Sequence, residues 1–399
     1  MMQTPASTPP QRWLASGAST DTDSYQAGVT AASDACAHPD PRLVIVFSSE
    51  DHDPVQLLRG VTEVTGDAPL IGCSTAGEIT AAGPRDRSVT VTALGGPGFR
   101  TVTRVAPGLT GRQREAGAEV AGCIAELGGA VPEQPGHTVL LMLSDGMVRG
   151  QEEVVRGAYG VLGAGIPLVG GCAGDDLRMA RTWVLRDGQV YTDAVVGAAL
   201  VSDAPLGIGV HHGWRKVGEP VLVTRSADSR VYELGEEPAL DVYLRLLDAP
   251  EQAGVDPAAF TRFAMTHPLA FSRRGGEEMR FIAGADFESR ALVCVAEVPQ
   301  GALAWFTTGD RDTVLDVVDS ACAAAVAPLA GQAPLGLLTF DCIARRGVLG
   351  DDGIEQEVAR IGRYAGGAPV AGFYTYGEIA RVRGISGFHN QTLVVLALG

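Results

Sequence analysis

Gly72-Cys-Ser-Thr-Ala-Gly-Glu-Ile79 and Gly372-Phe-Tyr-Thr-Tyr-Gly-Glu-Ile379 are two copies of one pattern, 300 residues apart (72 to 372). Each is preceded by a proline, in Pro69-Leu-Ile-Gly72 and Pro369-Val-Ala-Gly372, and a third, weaker copy runs Pro167-Leu-Val-Gly170 to Gly174-Asp175. Upstream of each lies an aliphatic run ending in polar residues. These are Leu43 to Phe47 then Ser48-Ser49, Val139 to Leu143 then Ser144-Asp145, and Gly336 to Phe340 then Asp341-Cys342. The distance from the end of that run to the second glycine is 30, 31 and 37 residues (Phe47 to Gly77, Leu143 to Gly174, Phe340 to Gly377). Helical stretches fill the gaps, with Asp53-Pro54 as an N-cap followed by proline at N1 and Asp352 ahead of Glu355 and Glu357. A further strand closes each copy, near Val89 to Leu94, Ala194 to Leu200 and Thr392 to Leu398.

A strand-helix-strand-strand unit repeated on one spacing predicts an α/β fold with mixed, partly parallel sheets and helices packed on them. The 399 residues, 46% of them hydrophobic, suffice for two domains. Residues 1–12 are rich in Pro, Ser and Thr and are expected to form a disordered tail. The first domain is expected over 13–235 and the second over 236–399, with the division falling between about 230 and 256. Between the second and third copies the pattern changes. Strands are expected in 207–234, a helix in 238–247, more strands in 278–307 and a long helix over 310–329.

The net charge of −16 and the single lysine, Lys216, argue against nucleic acid as a partner. They also leave neither a phosphate loop nor a pyridoxal lysine in a suitable motif. Seven scattered cysteines without a C-x-x-C pair fit free thiols in a reducing cytosol. No signal peptide or membrane span is legible, so a cytoplasmic protein without membrane insertion is expected.

Candidate ligand contacts fall in the glycine turns, where loops leave strand ends and backbone lies open to approach. They are Ser74, Thr75 and Glu78 in the first copy, Asp175 in the second, and Thr375, Tyr376 and Glu378 in the third. Asp145 and Cys342 at strand ends, and His389 and Asn390 ahead of the last strand, complete the set. The two glutamates have a second reading, in which they accept hydrogen bonds from neighbouring groups and hold the turns shut. Asp175 and Asp176 are adjacent acids, but two carboxylates alone make no metal site, and no metal is expected. No histidine stands in a metal or haem motif. A cysteine nucleophile at Cys73 or Cys342 is an alternative for which no histidine base is nominated by spacing.

Taken together, residues 13–399 resemble the FIST family of sensory proteins. The most specific stretch is Gly372 to Thr392, with Tyr376-Gly-Glu-Ile379 and His389-Asn-Gln-Thr392. Gly72 to Glu78, Gly170 to Asp175, and Gly213-Trp214 to Tyr243 with Pro238-Ala239 support it. The resemblance implies bacterial intracellular signal transduction without catalysis, and a small ligand such as an amino acid. Relatives are fused to kinase, cyclase or chemoreceptor outputs. No such module follows Gly399, so the expected partner acts in trans, for example a histidine kinase or cyclic-nucleotide enzyme. A haem-based nitric-oxide sensor is the alternative within the family; otherwise no cofactor is expected.

Overall fold

The computed structural model describes residues 11–127, 137–273, 276–382 and 387–399. The tail expected over 1–12 lies, apart from Gln11 and Arg12, outside them. Three α/β units with a common plan make up most of the chain. The first unit contributes Trp13–Ser19, Val89–Gly95, Pro41–Ser49 and Leu70–Thr75 to one sheet, in that spatial order. The second contributes Phe99–Pro107, Ala194–Ser202, Thr138–Ser144 and Leu168–Cys172. The third contributes Leu206–His211, Leu393–Leu398, Gly336–Cys342 and Val370–Thr375. In each, the two aliphatic strands joined by a helix run parallel and the closing strand pairs antiparallel to the first of them. The sheets are thus mixed and partly parallel, as the repeat predicts.

Each sheet is completed by a hairpin strand borrowed from another unit. Glu78–Thr80 of the first unit pairs with Val370–Thr375 of the third. Glu378–Arg381 of the third pairs with Leu168–Cys172 of the second, and Val184–Arg186 of the second pairs with Leu70–Thr75 of the first. The exchange closes a ring around a pseudo-threefold axis. The inner faces of the sheets share one core, where the Phe47 ring lies 4.7 Å from Phe373 and 6.3 Å from Phe340. Two helices cover each outer face. Ser24–Ala35 and Pro54–Thr65 do so in the first unit, with Gln113–Ala121 and Gln151–Leu162 in the second. Arg311–Val326 and Ile343–Ala365 do so in the third. In the first two units the paired helices touch backbone to backbone: a Cβ at Gly60 would lie 2.1 Å from the Tyr25 carbonyl, and one at Gly157 1.9 Å from that of Arg114. This close approach is one use of the high glycine content.

Residues 215–308 form a separate module, inserted between the first strand and first helix of the third unit. Its eight-stranded antiparallel sheet includes Arg215–Ala227, Leu269–Arg273 and Leu303–Thr308, and it has its own apolar core around Tyr243, Phe260 and Phe306. The loop at 248–256 runs inside this module, between helices Ala239–Leu246 and Pro257–Ala264. The third unit's first strand, Leu206–His211, precedes the 235/236 division and pairs across it with Leu393–Leu398.

Candidate functional site

The three glycine turns meet on the axis. The amide of Ala76 donates to the Tyr374 carbonyl (3.0 Å), that of Gly174 to Ser74 (3.0 Å) and that of Tyr376 to Cys172 (3.1 Å). Ala76, Gly174 and Tyr376 are therefore equivalent positions, and the three turns form a closed triangle of backbone hydrogen bonds.

Beneath the triangle each unit buries a carboxyl group. Glu78, fully buried, accepts from the Thr75 hydroxyl and from Ser88 Oγ (2.5 Å). Burial pushes its pKa up to about 8, against the pull of those two hydroxyls. Glu378 is equally buried and accepts from Thr375 Oγ1 (2.5 Å) and the Thr392 amide (3.1 Å). Burial holds it well above the usual carboxylate range.

The match of Gly174-Asp175 to Gly77-Glu78 is corrected by the strand register. Glu78 faces Phe373 and Glu378 faces Gly171, while the residue facing Cys73 in the second unit is Val184. An apolar side chain thus stands where the other units carry the glutamate, and the second unit supplies its buried carboxyl from Asp145 instead. Asp145 accepts from the Thr182 hydroxyl, the Met147 amide (3.0 Å) and the Asp193 amide (2.6 Å). Asp175 begins an excursion, 175–183, that has no counterpart in the other units. Its buried carboxylate accepts from the amides of Met179 (3.0 Å), Ala180 (2.7 Å) and Arg181 (3.0 Å) and from the Tyr376 hydroxyl. Burial alone would raise this carboxyl, but Tyr376 and the three amides hold it below its ordinary range. Tyr376 Oη also accepts from the Leu177 amide at 2.6 Å. Asp176, Leu177 and Met179 adopt φ of 56°, 61° and 51°, three left-handed residues within four positions. Such conformations cost non-glycine residues on the order of 1 kcal/mol or more each.

The third unit departs from the plan elsewhere. Helix Ile343–Ala365 contains a break at Gly350 (φ 65°, ψ 177°). The helical segment before that break has no counterpart after Pro41–Ser49 or Thr138–Ser144, and with a longer following helix it accounts for the wider spacing of the third copy.

Both departures wall one cleft of ≈ 760 Å³ beside the triangle. The first unit contributes Asp51, Ala76, Asp86 and Arg87, the second Asp176, Leu177 and Arg178, and the third Ile343, Arg346, Gly347, Gly350 and Asp351. Arg346 Nη1 lies 2.7 Å from Asp86 and donates to the Ala76 carbonyl at 2.9 Å, with its guanidinium over the Tyr374 ring. Arg178 and Arg87 contact Asp51 at 2.5 and 2.9 Å. Asp176 is left with Arg178 at 3.9 Å. Burial raises its carboxyl against the pull of Arg178 and Arg346, and Asp86 and Asp51 push the same way as burial.

None of the residues expected from sequence lines this cleft. Ser74 Oγ accepts from the Trp183 amide (3.1 Å), and His389 Nε2 meets the Ala380 carbonyl (2.9 Å). Asn390 is buried with its Oδ1 unpartnered in the structure. Cys342 and Cys73 are buried, and burial pushes both thiols well above their ordinary range, the opposite of activation for nucleophilic attack. The wall residues Asp51, Asp86, Arg87, Arg178 and Arg346 were missed. Their signal is charged residues next to the repeat's strands and turns, in Glu50-Asp51, Arg85-Asp86-Arg87, Asp175-Asp176-Leu177-Arg178 and Arg345-Arg346.

Among the described residues no helix is long and apolar enough to cross a membrane, and no cluster of three His, Cys, Asp or Glu side chains has metal-binding geometry. Comparison with known proteins finds the uncharacterized protein Rv0628c of Mycobacterium tuberculosis, 28% identical over 94% of this chain and 97% of its own length. The uncharacterized protein Mb0898c of Mycobacterium bovis is 29% identical over 57% of this chain and 59% of its own. T. maritima PurL complexed with ATP aligns over 97% of this chain and 71% of its own, at 10% identity and a TM-score of 0.20. The FIST N domain model matches residues 42–237 and the FIST C domain model residues 239–381. The chain belongs to the FIST family, whose domains are sensory, small-ligand-binding domains of signalling proteins.

Proposed function

We propose that this protein is a non-catalytic sensor whose ligand, an amino acid or related small molecule, enters the cleft beside the turn triangle. The observation that carries the reading is that the cleft is walled by the two segments in which the second and third units depart from their common plan. An internally repeated fold gains a site where the repeats stop being equivalent. The cleft combines arginines for a carboxylate with the under-neutralised Asp176 for an ammonium group. Glu78, Glu378, Asp145 and Asp175 serve this site indirectly, by holding the turns and the excursion beside it. No histidine, cysteine or tyrosine lines the cleft among the described residues, so the ligand is read as an organic zwitterion rather than haem. The signal passes to a partner in trans, such as a histidine kinase or cyclic-nucleotide enzyme.

Thermal-shift screening against the twenty amino acids, followed by calorimetric titration of any hit, tests this. At least one amino acid is expected to raise Tm, and Asp176→Asn is expected to weaken its binding about 10- to 150-fold, the worth of one charge-assisted hydrogen bond. A hit bound equally well by Asp176→Asn and Arg346→Met would move the site elsewhere. A screen with no hit, together with a Soret band at one haem per chain, would replace the reading by the haem alternative.

A further inference from the structure

The helical segment 343–349 touches two parts of the molecule at once. On one side Arg346 walls the cleft and is bonded to the first unit through the Ala76 carbonyl (2.9 Å) and Asp86 (2.8 Å). On the other, the preceding residue, Arg345, is fully buried. Its Nε meets Asp341 and its Nη2 Glu357, each at 2.6 Å. Its remaining donors reach the carbonyls of His212 (3.1 Å) and Val314 (3.3 Å). Those two carbonyls flank the points where the chain leaves the third unit for module 215–308 and returns from it. A single guanidinium thus holds both connections of the module.

Two further contacts tie the same place together. A Cβ at Gly347 would lie 3.2 Å from Met265 Sδ, so the segment packs directly on the module. Trp214, at the outgoing connection, donates from Nε1 to the Gln391 carbonyl (3.0 Å), and Gln391 Nε2 donates to the Met265 carbonyl (2.8 Å). The segment ends at Gly350, whose left-handed φ of 65° with ψ near 180° is open to glycine and strained for other residues. Successive residues of a helix point about 100° apart, so any rotation of the segment that moves Arg346 in the cleft also moves Arg345 at the connections.

We infer that segment 343–350 couples the cleft to module 215–308, so that a change at Arg346 alters how firmly the module's two connections are held. The inference takes the cleft as the ligand site proposed above. It makes the module the part of the molecule that registers occupancy, and Arg345 a positioning residue between the two. A ligand carboxylate that draws Arg346 away from Ala76 would act on the module through this segment.

Hydrogen exchange of the full-length protein, followed by mass spectrometry without any ligand, tests the coupling. In Arg346→Met, amides of 211–214, 264–267 and 309–314 are expected to exchange at least fivefold faster than in the unsubstituted protein. Helix Ser24–Ala35, remote from the segment, should keep its rate and reports any global loss of stability. Arg178→Met, on the opposite wall of the cleft, is expected to leave the connections unchanged. Gly347→Ala, which pushes on Met265 without removing a charge, should alter the same three peptides and serves if Arg346→Met folds poorly. Equal exchange at the connections in Arg346→Met, Arg178→Met and the unsubstituted protein, or no change there in Gly347→Ala, would overturn the coupling. Because no ligand is used, a failed amino-acid screen and a failed exchange experiment are separate results.

Discussion

The turn of the first unit and the excursion of the second begin alike, on equivalent backbone hydrogen bonds, and then diverge. In the first, Thr75 to Glu78 turns back at once, and the buried glutamate is held by two hydroxyls. In the second, 175–183 leaves the plan, carries three left-handed residues and is gathered around a single buried carboxylate. The first turn is closed and self-sufficient; the second is strained and opens onto the cleft. A fold built of equivalent units keeps its structural carboxyl in all three, even when it must be moved from the hairpin to Asp145. The three closely spaced left-handed residues of the excursion lie where it makes a wall for the cleft.

Of the substitutions, removing the substitute carboxyl is expected to have the largest effect. Asp145→Ala strips the Thr182 hydroxyl and the Met147 and Asp193 amides of their acceptor at a site only 4% exposed. Its expected cost is about 3–5 kcal/mol, read by chemical denaturation. A loss below about 1 kcal/mol would mean that Asp145 does not replace the missing glutamate.

The closed turn makes a pH-dependent prediction of nearly the same size. Glu78 has a folded pKa of about 8 against an ordinary 4.5, so the folded state keeps a proton that the unfolded chain releases in that range. The contribution is fully present below the lower value and is lost as pH rises through the upper one, a change on the order of 5 kcal/mol. Glu78→Gln cannot ionise. Its stability relative to the unsubstituted protein should improve steadily between pH 5 and 8.5, and a pH-independent difference would show that Glu78 is charged in the fold.

Asp175 behaves oppositely, because its folded pKa lies below the ordinary value. Its contribution is present above the ordinary carboxylate range and is lost as pH falls through the lower folded value. The Tyr376 hydroxyl that joins Asp175 to the Leu177 amide is the smaller lever. Tyr376→Phe is expected to cost about 1–2 kcal/mol and to speed proteolysis within 175–183 before it affects the closed turn at 75–78. Equal loosening of both turns would erase the distinction between them.

The three units were legible because their buried strands are unbroken aliphatic runs and their turns need glycine at fixed places. Their first strands were not. Trp13–Ser19 and Phe99–Pro107 are short of aliphatic residues or alternate with polar ones, and Leu206–His211 is cut from its unit by the module. Exchange of hairpins leaves no local mark, since Glu78–Thr80 would read as a strand whichever sheet received it. The site was legible as a place and not as a list. Glycines and carboxyls that build the turns recur with the repeat, whereas Asp86, Arg178 and Arg346 occur once each and read as solvated surface charges. What distinguishes them is proximity across three units, which spacing within one unit cannot carry.

The smallest expected effect tests the strain itself. Leu177 is 62% exposed and sits at φ 61°, so its side chain recovers little burial for the backbone conformation it must hold. Glycine has no Cβ to clash in that region, yet it is the more flexible residue when unfolded, and the two effects oppose each other. With strain at the usual size for a left-handed non-glycine residue, Leu177→Gly should leave stability unchanged or raise it by up to about 1 kcal/mol, despite the loss of a whole side chain. The matched control is Ala76→Gly at the equivalent closed turn, one position before Gly77. Ala76 is fully buried and carries no positive φ, so there the same kind of change should cost about 1 kcal/mol or more. Equal losses at the two positions would show that the excursion stores no strain, and the contrast between a relaxed turn and a strained one would fall with it.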